Sequence, residues 1–378
     1  MNIKTEIFTK TDNSQKMVSI FLYFKAGYKN DPKDMQGLSH FLEHLLSRVN
    51  VEITMKVRYC GGERILQTGE DFIRIHHYVP KEYWKEQLDI VLDHLCKNEI
   101  TEEKVKTEVD LIIMETKHWQ SYPITKIYHN LKKLMFFPHH YSNHHIGNPD
   151  HFKKMTPEFL QYYRECFWDD IMVVVAGDVE IQEVEDKVLE YIEKLDLKIN
   201  HWEAINHPLP ENGQVVERIS SENDLNVTGF CYLIKNPTID DISTFYVLNH
   251  LLWLKDPLID QIIAKYNFQN KNYRTLFQLS NENFIHFNLI LHRDHNYELI
   301  NLNGIWEELA KNFVNLKEKI LIHLEIMAFR SKSFEWADYH FVNRDFDQLV
   351  NNISYMNKNK FLETFEKIDR SAIIFSER

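Results

Sequence analysis

Apolar positions along this chain switch repeatedly between two periods. "MVSIFLYFKAG", residues 17–27, mixes β-branched and aromatic residues with partial alternation and ends at a glycine, so it predicts a strand. A polar turn, "YKNDPKD", leads into "GLSHFLEHLLSR", where Leu38, Phe41, Leu42, Leu45 and Leu46 recur at helical spacing. In "CGGERILQTGEDFIRIHHYVP", residues 60–80, Gly61, Gly62 and Gly69 punctuate two strand-like runs. Trp84, Leu88, Val91, Leu92 and Leu95 then mark a helix, and Thr101 followed by two glutamates caps another over roughly 101–120. Thr156 and Pro157 open a helix that runs into a buried strand, Ile171 to Ala176, and "IQEVEDKVLEYIEKL" forms the next helix.

Residues 198–214 hold two prolines, a glycine and no clear period, which makes them the linker candidate. Beyond them the order restarts. "VTGFCYLI" reads as a strand, "STFYVLNHLLWLK" as an apolar helix, and "NKFLETFEKIDRSAIIFS" closes the chain as helix then strand. The expected architecture is α+β in two similar halves, each a mostly antiparallel sheet packed against helices: residues 1–197, a linker at 198–214, and residues 215–378.

Composition narrows the function. A chain of 378 residues with 44% hydrophobic and 13% aromatic residues can bury sizeable cores. A formal net charge of -12 argues against nucleic acid as a partner. Cys60, Cys96, Cys166 and Cys231 are widely spaced and form no C-x-x-C, so reduced, buried thiols are expected. No apolar run approaches the length of a membrane span, and the amino-terminal stretch has no apolar core of the secretory type. The expectation is a cytoplasmic protein.

The chemistry concentrates at "HFLEH". His40 and His44 are one helical turn apart and share a face, with Glu43 between them. Burying two imidazoles and a carboxylate is unfavourable unless something compensates, and a single zinc ion can accept both histidines. Catalytic zinc takes three protein ligands. Glu108 and Glu115, two turns apart within the hydrophobic "EVDLIIMETKHWQ", are the candidates for an acid that is paired, capped or a ligand. From the residues alone, a satisfied core pair of histidines stays open beside the metal pair. The doublets His76-His77, His139-His140 and His144-His145 read as surface or core histidines, because adjacent strand residues diverge.

"GLSHFLEHLL", with an acidic helix about seventy residues later, resembles the pitrilysin/insulinase family of inverted-motif zinc peptidases. Residues 15–195 carry the resemblance, through "KNDPKDMQGLSH", "YCGGERILQTGEDFIRIHHYVP" and "HHIGNPDHFKKMTPEFLQYYRECFWDDIMVVVAGDV". It implies His40, His44 and Glu115 as zinc ligands, Glu43 as the general base acting on the attacking water, and Glu108 as a supporting acid. The family's Asn-Ala in the cleft-lining strand is Ile65-Leu66 here. Its second-half Arg-x6-Tyr pair meets Ile263, with Tyr273 as the candidate tyrosine in the substrate site.

Short members of the family work as paired chains enclosing a chamber, as in mitochondrial processing peptidase. The resemblance therefore implies a catalytic subunit that cuts short unfolded peptides or leader segments, paired with a related subunit, with a heterodimer favoured and a homodimer the other arrangement. The alternative is a non-catalytic partner or scaffold subunit, and a respiratory-complex core subunit is a more remote one.

Overall fold

A computed structural model describes residues 4–48, 51–95, 99–143, 146–167, 170–195, 200, 208–220, 227–266, 268–293 and 302–377. Two compact units are present. One comprises Met1–Ser121, Asn143–His207 and Phe329–Ala337, and the other Tyr122–Ser142, Pro208–Ala328 and Asp338–Arg378. The division expected at 198–214 follows chain order, whereas the compact units interleave. That stretch lies largely outside the described residues.

The first unit is built on β1 (Lys4–Thr11), β2 (Met17–Phe24), β3 (Glu63–Thr68), β4 (Ile73–Pro80) and β5 (Asp170–Gly177), in the order β1-β5-β2-β4-β3. Only β1 and β5 run parallel. β2 is central and buried on both faces, which is why its sequence is almost continuously apolar rather than strictly alternating. Val18, Ile20, Leu22 and Phe24 face α1 (Leu38–Arg48) and the helix Trp84–Leu92, within a core that includes Phe41, Leu45, Leu88 and Val91. On the opposite face, Phe21 and His76 stack at 4.2 Å and meet Phe334, while Ser19 Oγ lies 2.7 Å from Ser333 Oγ. Residues 329–337 thus complete the first unit from a distant part of the chain.

The second unit repeats the topology. Strands β6 (Gly213–Ser220), β7 (Val227–Lys235), β8 (Phe268–Leu279), β9 (Phe284–Arg293) and β10 (Arg370–Glu377) lie in the order β6-β10-β7-β9-β8. Again only the first pair is parallel. The α+β expectation of two similar halves holds strand for strand. The helix Pro123–Phe136, from the first half of the sequence, packs here through Ile127, Leu131, Met135 and Phe136 against Val227, Cys231 and Phe284. Gly229 makes this possible, since a Cβ there would come within 2.8 Å of Leu131 Cδ1. Among the described residues, Cys60, Cys166 and Cys231 are free thiols, and no helix is long and apolar enough to cross a membrane.

Candidate metal centre

The amino-terminal end of α1 is set by a carboxylate. Asp31 accepts the amide of Gly37 at 2.8 Å, and the amide and hydroxyl of Ser39 at 2.9 and 2.7 Å. A negative group there satisfies orphan N–H donors and suits the helix dipole. Burial pushes the Asp31 carboxyl up to about 7, while these donors and Tyr163 pull it down. Gly37 has φ +94, and a Cβ on it would collide with the Phe152 ring and with Gly147 Cα, so a glycine is required.

From this end, α1 presents His40, Glu43 and His44 towards α2 (Glu102–Gln120), which carries Glu108 and Glu115. The two imidazoles stand edge to face, 4.7 Å apart. Glu108, itself buried, places Oε1 2.9 Å from His44 Nδ1. The Nδ1 proton is thereby directed to Glu108 and the Nε2 lone pair outward. Glu115 Oε2 lies 3.3 Å from His44 Nε2, and Glu115 Oε1 lies 3.9 Å from His40 Nε2. One donor atom from each of His40, His44 and Glu115 lies within 4.8 Å of the others. A tetrahedral zinc with bonds of about 2.0–2.1 Å holds its ligands roughly 3.4 Å apart, so the residues fit such an ion. A ring nitrogen that faces a carboxylate can be joined to it by a proton or by a divalent cation.

The family assignment rests on two matches that together cover most of the chain. The profile described as "Insulinase (Peptidase family M16)" matches residues 6–149, and that described as "Peptidase M16 inactive domain" matches residues 156–302. The chain belongs to the M16 (insulinase/pitrilysin) peptidase family.

It is 21% identical over 244 residues to the probable mitochondrial-processing peptidase subunit beta of Arabidopsis thaliana, covering 62% of this chain and 46% of that protein. An uncharacterized zinc protease of Bacillus subtilis, YmxG, is 20% identical over 48% of this chain and 46% of its own length. Against these curated relatives the chain spans about half their length. The crystal structure of a Helicobacter pylori protease superposes with a TM-score of 0.80 at 18% identity, covering 98% of this chain and 96% of that one, a likeness of fold.

In this M16 chain, electrostatics distinguish the three α1 side chains. Burial, helped by the neighbouring His44 charge, lowers His40 to about 4, so its ring is neutral near pH 7. His44 is also pushed down by burial, but the Glu108 hydrogen bond and the surrounding carboxylates win, and the net direction is up. Burial, helped by the Glu115 charge, raises Glu43 to about 7 against the pull of His44 and Arg64. A divalent cation among these groups would favour their deprotonated forms and so oppose both upward trends.

Arg64 and Trp119 were not legible as site residues in the sequence. Arg64, on β3, donates to the Leu46 carbonyl at 3.1 Å and to His94 Nε2 at 2.8 Å, and it is a positive neighbour of Glu43. Trp119, one turn after Glu115, donates its indole N–H to Glu115 Oε1 at 3.3 Å. That i, i+4 spacing was the available signal.

Ile65 and Leu66 sit on β3, the edge strand, opposite His76 and Ile75. As successive strand residues they point to opposite faces, and Leu66 packs against the α1-side core. Ile263 is buried on the helix Pro257–Lys265. Tyr273 lies on β8 opposite Leu291, with its side chain outside the described residues. Both belong to the second unit. His76 and His77 are buried on β4 and diverge as expected, with His77 Nδ1 3.2 Å from Gln87 Oε1. The His144-His145 doublet lies outside the described residues.

Proposed function

We propose that this chain is a zinc endopeptidase that cuts short, unfolded peptides, and that it is the metal-bearing member of a pair of related subunits. The observation that carries the reading is the convergence of His40, His44 and Glu115, with Glu43 on the same helix and Glu108 behind His44.

In this reading His40 Nε2, His44 Nε2 and the Glu115 carboxylate hold the ion. Zinc bound there supplies Lewis-acid polarisation of the scissile carbonyl and eases deprotonation of water. Glu108 keeps the His44 proton on Nδ1, so that Nε2 stays a ligand. Glu43 takes a proton from the attacking water and passes it to the leaving amine as the C–N bond breaks. The outer edge of β3, which pairs with no further strand among the described residues, offers backbone groups with which an extended peptide can pair, and Ile65 and Leu66 make that strand more apolar. Tyr273 is a further substrate-contact candidate.

Two features support a partner. A relative's own name describes a subunit, and the second unit has an apolar, buried Ile263 where the family resemblance expects an arginine. A cytoplasmic setting belongs to the same proposal. The test is cleavage of a library of unstructured fluorogenic peptides, with zinc content measured before and after chelation. Chelator-sensitive cleavage supports the reading. Cleavage that persists after complete zinc removal sinks it, and a zinc-loaded chain that only binds peptides, even with its partner, points to a scaffold subunit.

A further inference from the structure

A second group of histidines and a carboxylate meets in the second unit. His139 and His140 are consecutive, and on a strand their rings would diverge. Here they enter a tight turn, His140–Ser142, and the rings lie 3.9 Å apart at an interplanar angle of 32°. Both aim at the turn between β8 and β9. His139 Nε2 lies 3.2 Å from Glu282 Oε2, and His140 Nε2 lies 2.7 Å from Glu282 Oε1. One donor atom from each of the three residues falls within 4.8 Å of the others.

The cluster is rigid on one side and open on the other. His139 is buried against Phe136, Tyr141 and Phe284, so its ring cannot swing away. The turn is held by Tyr141, whose hydroxyl lies 2.5 Å from Ser280 Oγ, and by the Glu282 amide, which donates to that same Oγ at 3.0 Å. The Glu282 side chain keeps 31% of its surface exposed, leaving room for a water ligand and for ion exchange.

We propose that His139, His140 and Glu282 form a second binding site for a divalent cation of the zinc type. Two imidazole nitrogens and one carboxylate are a donor set that zinc accepts. The Tyr141 amide donates to His139 Nδ1 at 3.3 Å, which puts that ring's proton on Nε2, facing Glu282. Uptake of the cation at Nε2 therefore needs the other tautomer, with the proton moved to Nδ1, and gives up a long amide contact. This makes the site the weaker of the two.

The experiment titrates the metal-free full chain with zinc alone and reads stoichiometry by calorimetry and by elemental analysis. The wild type should take up about two zinc ions, the second released first to a mild chelator. Glu282→Gln and His140→Ala should each bind about one, as should His44→Ala, and the His44→Ala/Glu282→Gln pair none. Circular dichroism checks that each variant is folded; should Glu282→Gln not fold, His140→Ala, altered at a partly exposed ring, decides. A single zinc lost with Glu282→Gln but kept by His44→Ala supports this site while refuting the α1 centre. A wild type that binds one zinc, lost with His44→Ala alone, overturns the proposal, as does retention of two by both second-unit variants.

Discussion

Glu108 Oε1 sits 2.9 Å from His44 Nδ1, on the side of the ring opposite Glu115. One helix therefore supplies both the group that orients the imidazole and the acid that faces its other nitrogen. Replacing Glu108 by Gln keeps a hydrogen-bonding group but removes the charge that makes the ring basic. Zinc affinity should fall about 10–100-fold. Competition with a chromophoric chelator measures this, and unchanged affinity would show that the contact does not tune the site.

Glu43→Gln separates binding from chemistry. The amide preserves shape and polarity and cannot accept a proton at neutral pH. Zinc content should stay near that of the wild type, while peptide cleavage should fall about 10²–10⁴-fold. Cleavage at the wild-type rate would remove Glu43 from the proton-transfer role.

Acid should destabilise the fold through His94. Its Nδ1 faces the carbonyls of Ile90 and Val91, and its Nε2 accepts from Arg64, so a second proton would point at a guanidinium. Burial and the Arg64 charge lower it to about 4 from an ordinary 6.5. The unfolded chain then binds more protons between those values. The stability this represents is complete above about pH 6.5 and is lost as pH falls towards 4. Thermal melts across that window should show a steeper decline for the wild type than for His94→Gln. Equal slopes would place the acid sensitivity elsewhere.

If the proposed pairing is correct, the purified chain should bind zinc yet cleave slowly. Adding its related partner should raise the rate without changing the zinc content. Substituting the partner's substrate-contacting arginine should cut activity, whereas removing its metal motif should not. A chain fully active alone as a homodimer would refute the heterodimer.

The α1 histidines were legible because helix geometry alone ties residues i and i+4 to one face. The strands β2 to β5 were legible for the same local reason, as were the Thr101 and Thr156 caps, which accept the Lys104 and Phe159 amides. Strands β1, β8 and β9 and the helices of residues 302–355 were not read from the sequence. Spacing could not separate Glu108 from Glu115, since seven residues leave both on one helical face. Only the packing of the second helix against α1 sends one to Nδ1 and the other towards Nε2. Nor could local pattern show that Pro123–Phe136 joins the second sheet, that residues 329–337 join the first, or that His139 and His140 turn together onto Glu282. Periodicity reports which side of an element is apolar. Which distant surface buries that side depends on contacts between residues far apart in the chain, and only the folded structure decides those.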